Sequence, residues 1–235
     1  MRGAALIRTT ATLPVAMGRD AWAALLLVTI GTNALDFATA PVAGGSPGLA
    51  FWLSACVRVA LVFWITYAVQ RRVLGQERAF RIERPFWPFL LLQFGFAVGL
   101  AMLTAILMRA TGKPAALATE WLIGFLAMAL WSLAAHRLFA WSAAVSRDGR
   151  LGALPALWKA QRGLGAAILR ALAALILPVA AVHLALTLIA VRLPMGATGH
   201  LAIALVDGVV SSLQLVLVAA LGANVLRLAS GAQAR

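Results

Sequence analysis

The sequence predicts an all-α, polytopic membrane protein with six transmembrane helices. Hydrophobic residues make up 63% of the 235-residue chain and charged residues only 11%, which leaves too little polar surface to cover a soluble domain of this length. The apolar residues are gathered in runs of about 20 residues or more, which is the length that a helix needs to cross a bilayer. Most positive charges lie in the short segments between these runs. We therefore expect one integral membrane domain over residues 1–235.

The first predicted span follows a basic N-terminal lead that we expect to be cytoplasmic and partly helical along the membrane surface. The small residues 38–40 resemble a signal-peptide cleavage site, but Pro41 would directly follow the cut, so the first span is interpreted as an uncleaved helix. The fourth span is long enough to extend beyond the hydrocarbon on its cytoplasmic side. The six predicted spans are residues 21–40, 48–70, 86–108, 116–145, 166–191 and 200–228.

The distribution of Lys and Arg predicts the orientation. Sixteen of these residues lie in the N-terminal lead, in the segments 71–84 and 137–170, and at the C-terminus, whereas only Arg109, Lys113 and Arg192 lie in the loops on the other side. Because loops rich in Lys and Arg stay in the cytoplasm, both termini are predicted to be cytoplasmic. This placement also accounts for the net charge of +13, so nucleic acid is not an expected partner.

The longest polar interruption, residues 147–170, precedes the fifth span and predicts a short helix that lies on the membrane surface. Pro155 suits the first turn of such a helix. Leu151, Leu154, Leu157 and Trp158 fall on one helical arc, and Lys159 and Arg162 fall on another. We expect Trp158, Lys159 and Arg162 to contact membrane lipids, with the two cations near anionic headgroups on the cytoplasmic side.

The segment ALPALWKAQRG, residues 153–163, resembles one in bacterial six-helix inner-membrane proteins related to the membrane domain of glycerophosphodiester phosphodiesterases. In those proteins a small interfacial helix with a Trp, a basic residue and an Arg-Gly pair precedes a span, and Trp158, Lys159, Arg162 and Gly163 hold these places here. This chain lacks the soluble barrel in which phosphodiester chemistry occurs, so the resemblance does not imply hydrolase activity. It implies a stand-alone envelope protein associated with lipid metabolism or membrane integrity.

Six polar residues at membrane depth are candidates for a functional site, because each costs about 2.5 kcal/mol or more if it faces lipid unpaired. Rise per residue places the ionisable members of this set in the outer half of the bilayer, where Asp36 could pair with Arg58 and His183 with Asp207. The six residues are Asn33, Asp36, Arg58, Glu120, His183 and Asp207.

Three interpretations of these residues remain open. They form structural pairs that hold neighbouring helices together, or they line a proton or ion path or an anion-binding cavity at Arg58. The third interpretation is a metal site of His183, Asp207 and Glu120, although no local ligand spacing supports it. The adjacent Ser211 and Ser212 lack the setting of a nucleophile and are expected to form a polar helix-packing patch.

Two further features predict helix packing rather than chemistry. Gly95 and Gly99 form a GxxxG pair that would let two helix backbones approach closely. Pro178 should bend the fifth span and free a carbonyl group. No enzyme motif or cofactor-binding fingerprint is present in the sequence. We therefore expect a non-enzymatic membrane protein that contacts lipid or a partner membrane complex, and the alternative is a small proton- or ion-coupled transporter or channel.

Overall fold

The computed structural model describes most of the chain, and every regular element in the described part is helical. The described residues are 2–19, 22–23, 25–31, 48–112, 117–193 and 196–233. Asn33 and Asp36 lie outside them, as does most of the predicted first span.

The helices follow one another along the described ranges. A 3₁₀ helix, Leu151–Ala153, leads into α7, and a π-helical segment, Leu172–Ile176, joins α8 to α9. The α-helices are α1 (Arg2–Ala16), α2 (25–31), α3 (Leu49–Val73), α4 (Phe86–Thr111), α5 (Leu117–Ala135), α6 (Leu138–Asp148), α7 (Leu154–Ala160), α8 (Gly165–Ala171), α9 (Leu177–Arg192) and α10 (Ala197–Gln233).

Four helical stretches in the described part are long and apolar enough to cross a membrane, and α5 with α6 makes a fifth if the pair is counted as one broken span. The four are Leu49–Val73, Phe86–Thr111, Gly165–Ala190 and Thr198–Gly231. They correspond to the second, third, fifth and sixth spans predicted from the sequence. The chain is therefore an all-helical membrane protein with several candidate spans.

The fourth predicted span, residues 116–145, is not one continuous helix. It breaks between Ala135 and Leu138, and the two parts are bent by 74°. A residue outside α5 and α6 stabilises the break: the amide Nε2 of Gln161 donates a hydrogen bond of 3.1 Å to the carbonyl oxygen of Arg137. Beyond the break, α6 packs against α3, α4 and α10 instead of continuing along α5.

Among the described glycines, Gly222 marks the closest approach of two helix backbones, those of α10 and α6. A Cβ atom built on Gly222 would lie 2.6 Å from the carbonyl oxygen of Phe139. At the GxxxG pair, the predicted close approach of two helix backbones is not present. Gly99 faces the ring of Trp131 on α5, and a Cβ on Gly95 would have no atom within 4 Å.

Two other sequence predictions have local counterparts. The N-terminal lead forms α1, but this helix packs against α8 and α10 and buries Leu6 and Thr10 rather than only lying on the surface. The π-helical segment ends just before Pro178, where the proline removes one backbone donor from the helix.

Candidate functional site

A cavity of about 360 Å³ lies between α2, α3, α9 and α10, and we call it the polar cavity. Its walls combine apolar side chains with the Thr29 hydroxyl and five further groups that carry charge or hydrogen-bonding capacity. Besides Thr29 on α2, these five are Arg58 on α3, His183 on α9, and Asp207, Ser211 and Gln214 on α10.

The residue spacing explains why these groups share one cavity. Asp207, Ser211 and Gln214 are separated by four and three residues, so they lie on one face of α10. On α3, Arg58 is followed by Leu61 and Val62 at the same helical spacing, and both also line the cavity. Each helix thus directs one face toward the same space.

His183 and Asp207 are in direct contact, as their similar estimated depths on consecutive spans suggested. Nδ1 of His183 lies 2.5 Å from Oδ1 of Asp207, which is a hydrogen-bond distance that requires a proton between the two atoms. The side chains are not sealed between helices, since 35% of the His183 side chain and 20% of the Asp207 side chain remain exposed. The two side chains therefore form a hydrogen-bonded contact at the wall of the polar cavity.

The neighbouring Ser211 does not complete a catalytic triad. Its Oγ lies 3.4 Å from Nδ1 of His183, the same ring nitrogen that contacts Asp207. A serine nucleophile needs the opposite ring nitrogen, because the carboxylate occupies Nδ1 and the hydroxyl gives its proton to Nε2. This arrangement favours a hydrogen-bonding role over acyl transfer.

Hydroxyl groups beside the cavity connect α2 to α10. Ser212 is buried, and its Oγ lies 2.8 Å from Oγ1 of Thr29 and 2.7 Å from the carbonyl oxygen of Gly208. Ser212 thus contributes to helix packing, as the sequence indicated for this pair of serines. Gln214 extends toward α5, where its Nε2 lies 3.8 Å from Sδ of Met128.

No known protein family, curated protein or solved structure matches this chain. The function of the polar cavity is therefore inferred from its own geometry.

The structure brings together only part of the polar set that the sequence singled out. Arg58, His183 and Asp207 line the polar cavity, and Arg58 is half-buried there. Glu120 does not line it but lies exposed in the first turn of α5. In the part of the chain that the structure describes, no group of three His, Cys, Asp or Glu side chains could hold a metal ion, so the proposed ligand set of His183, Asp207 and Glu120 is wrong.

A partly buried ion pair at the other end of α3 lies outside the polar set predicted from the sequence. Arg71 was counted among the loop cations, but it lies inside α3 with 4% of its side chain exposed. Its guanidinium donates hydrogen bonds to the Tyr67 hydroxyl at 2.8 Å and to Oε2 of Glu83 at 2.6 Å. The spacing of Tyr67 and Arg71 by four residues was the available sequence signal.

A second missed cluster joins three helices through one hydroxyl group. Oγ of Ser142 on α6 accepts a hydrogen bond from Nε2 of Gln93 on α4 at 2.7 Å. The side-chain amide of Gln70 on α3 lies within hydrogen-bond distance of the same oxygen, at 3.1 Å. These contacts fix α6 between its neighbours and do not form an open site.

The segment predicted to lie on the membrane surface is helical, with α7 at Leu154–Ala160. Trp158, Lys159 and Arg162 are all exposed, and Leu157 packs against the core. The guanidinium of Arg137 lies 5.0 Å from the centre of the Trp158 ring, which is a cation–π contact. This contact ties α7 to the break between α5 and α6.

Proposed function

We propose that this chain is a non-enzymatic, six-span protein of the bacterial cytoplasmic membrane with both termini in the cytoplasm. The excess of Lys and Arg in alternate loops supports the orientation. The resemblance at residues 153–163 supports a bacterial envelope protein. In this arrangement α7 lies at the cytoplasmic interface, where Trp158 inserts and Lys159 and Arg162 meet anionic lipid.

Within this frame, we propose that the polar cavity binds a small anion and exchanges protons with it, as in a small proton-coupled transporter. The observation that carries this proposal is that Arg58, His183 and Asp207 line one cavity. A guanidinium attracts an anion, and the histidine–carboxylate pair beside it can take up or release a proton. Ionisable side chains at membrane depth commonly mark such paths when they face a cavity.

A flux measurement in liposomes tests the transporter proposal. Purified protein is reconstituted with a pH-sensitive dye inside, and proton entry is driven by an imposed membrane potential with and without phosphate, sulfate or a monocarboxylate. We expect flux in the wild type and its loss in His183→Ala and Asp207→Ala, because each variant removes half of the titratable pair. His200→Gln is the matched control, since His200 does not line the cavity. Wild-type vesicles without flux under every condition would end this proposal.

The second candidate function is a structural scaffold, which the direct contact of His183 with Asp207 favours. If the pair serves packing alone, His183→Ala leaves the carboxylate unpaired and destabilises the protein, and adding Asp207→Ala restores much of the loss. Melting temperatures in detergent for both single variants and the double variant measure this. A double variant that is fully stable yet loses the wild-type flux contradicts the scaffold.

A further inference from the structure

A second cavity, which we call the basic cavity, lies where α1, α3 and α10 meet. Its volume is about 320 Å³. Arg72 on α3 lines this cavity. It lies 14 residues beyond Arg58 of the polar cavity, which corresponds to about 20 Å along the helix axis. Its lining residues are Thr9, Thr12, Leu13, Met17, Arg72, Val73, Asn224 and Arg227.

The walls of the basic cavity are held by packed elements. Thr10 and Asn224 are both buried, and Nδ2 of Asn224 donates a hydrogen bond of 3.3 Å to Oγ1 of Thr10. This bond fixes α1 against α10. Asn224 and Arg227 are three residues apart and so share a face of α10, which places Arg227 at the cavity.

The charge of the basic cavity is positive and uncompensated within the described residues. Arg72 and Arg227 are exposed, and neither forms an ion pair with a described carboxylate. The adjacent Arg71 differs, because it is buried and paired with Glu83. Both arginines of the cavity therefore keep their guanidinium donors available.

The other polar groups add little donor capacity. The Thr9 hydroxyl donates to the carbonyl oxygen of Ala5 at 2.9 Å, and the Thr12 hydroxyl donates to that of Arg8 at 3.0 Å. Both hydroxyl protons thus serve the helix itself. A ligand would receive its hydrogen bonds from the two guanidinium groups, which match the oxygen pairs of a phosphate.

We propose that the basic cavity binds a phosphate group, supplied by the headgroup of an anionic membrane lipid. Arg72 lies in the last turn of α3, a candidate span, so it lies near the membrane–water boundary. Leu13, Met17 and Val73 give the same cavity an apolar wall, which suits the first methylenes of an acyl chain better than a free ion. This site is separate from the polar cavity and does not depend on the function proposed for it.

Melting temperatures of the full-length protein in a neutral detergent test this proposal. Short-chain phosphatidylglycerol, short-chain phosphatidylcholine and inorganic phosphate are titrated separately, because a ligand that binds the folded state raises the melting temperature. We expect phosphatidylglycerol to raise it and phosphatidylcholine not to. Arg72→Gln/Arg227→Gln should bind phosphatidylglycerol about thirty-fold more weakly, from the usual contribution of two cations near an anionic headgroup.

The matched control is Arg78→Gln/Arg81→Gln, which removes the same charge from exposed positions outside the basic cavity. It should keep wild-type affinity. Arg72→Lys/Arg227→Lys retains the charge without the planar fork and should keep part of the affinity. Equal weakening in the Arg78/Arg81 variant, or wild-type affinity in Arg72→Gln/Arg227→Gln, would overturn the site. An equal shift with inorganic phosphate would support the phosphate site and overturn the lipid as its source.

Discussion

Replacing Gly222 by Ala tests the packing on which the architecture depends. The added Cβ would lie 2.6 Å from the carbonyl oxygen of Phe139 and 3.5 Å from Nε2 of Gln70. The first distance is about 0.8 Å shorter than an ordinary contact. Because the opposing atom belongs to the backbone of α6, no side-chain rotation relieves the overlap, and one of the two helices must move.

The expected cost follows from three terms. Overpacking of a filled interior costs about 1–3 kcal/mol. The displacement of α6 also weakens the hydrogen bonds between Ser142 and the two glutamines, each worth about 1 kcal/mol. Alanine recovers up to about 1 kcal/mol through its better helix propensity. We expect Gly222→Ala to lower the free energy of unfolding by about 2 kcal/mol.

The assay is reversible unfolding in mild detergent, followed by tryptophan fluorescence. Gly231→Ala is a control on the same helix, and Gly95→Ala is a control on α4, because an added Cβ at either position meets no atom within 4 Å. Both should be neutral or slightly stabilising. Gly99→Ala should lie between the extremes, because the Trp131 ring that it meets is a side chain and has some freedom to move. A Gly222→Ala protein as stable as Gly231→Ala would show that α6 does not approach α10 at this point.

Three further predictions concern other parts of the molecule. Glu83→Gln should destabilise the protein by about 3 kcal/mol, at the low end for breaking a buried pair because 34% of the Glu83 side chain is exposed, and unchanged unfolding would contradict the role given to Arg71. A reporter fused after Arg235 should be cytoplasmic and one inserted near Gly45 external, and an external C-terminus would refute the six-span topology. Trp158→Asp should release α7 and increase protease cleavage there, whereas unchanged cleavage would argue against membrane anchoring by this side chain.

Long helices were the most predictable part of the fold. The apolar runs at 48–70, 86–108 and 200–228 became α3, α4 and α10, which are two, three and eight residues longer, because span length depends mainly on the extent of apolar sequence. The similar depth of His183 and Asp207 on two consecutive spans could also be anticipated from rise per residue, whereas the facing that brings them into contact could not.

The break between α5 and α6 could not be predicted in the same way. Neither proline nor glycine occupies residues 135–138, and the polar pair His136–Arg137 that lies there does not by itself end a helix. The carbonyl oxygen of Arg137 is satisfied by Gln161, which is 24 residues away in the chain. Sequence periodicity contains no information on such a partner. Arg71 was misassigned for a related reason, because its burial depends on Glu83 folding back onto the end of α3.

The geometry of both cavities depends on the position of α10 against its neighbouring helices. Asp207 faces the polar cavity near one end of this helix, Arg227 faces the basic cavity near the other, and Gly222 lies between them against α6. A helix with unbroken backbone hydrogen bonds moves largely as a rigid rod, so a displacement at Gly222 would be carried toward both ends. The absence of a Cβ atom at Gly222 therefore does more than allow close packing. It sets the position of α10 from which Asp207 reaches His183 and Arg227 lines the basic cavity.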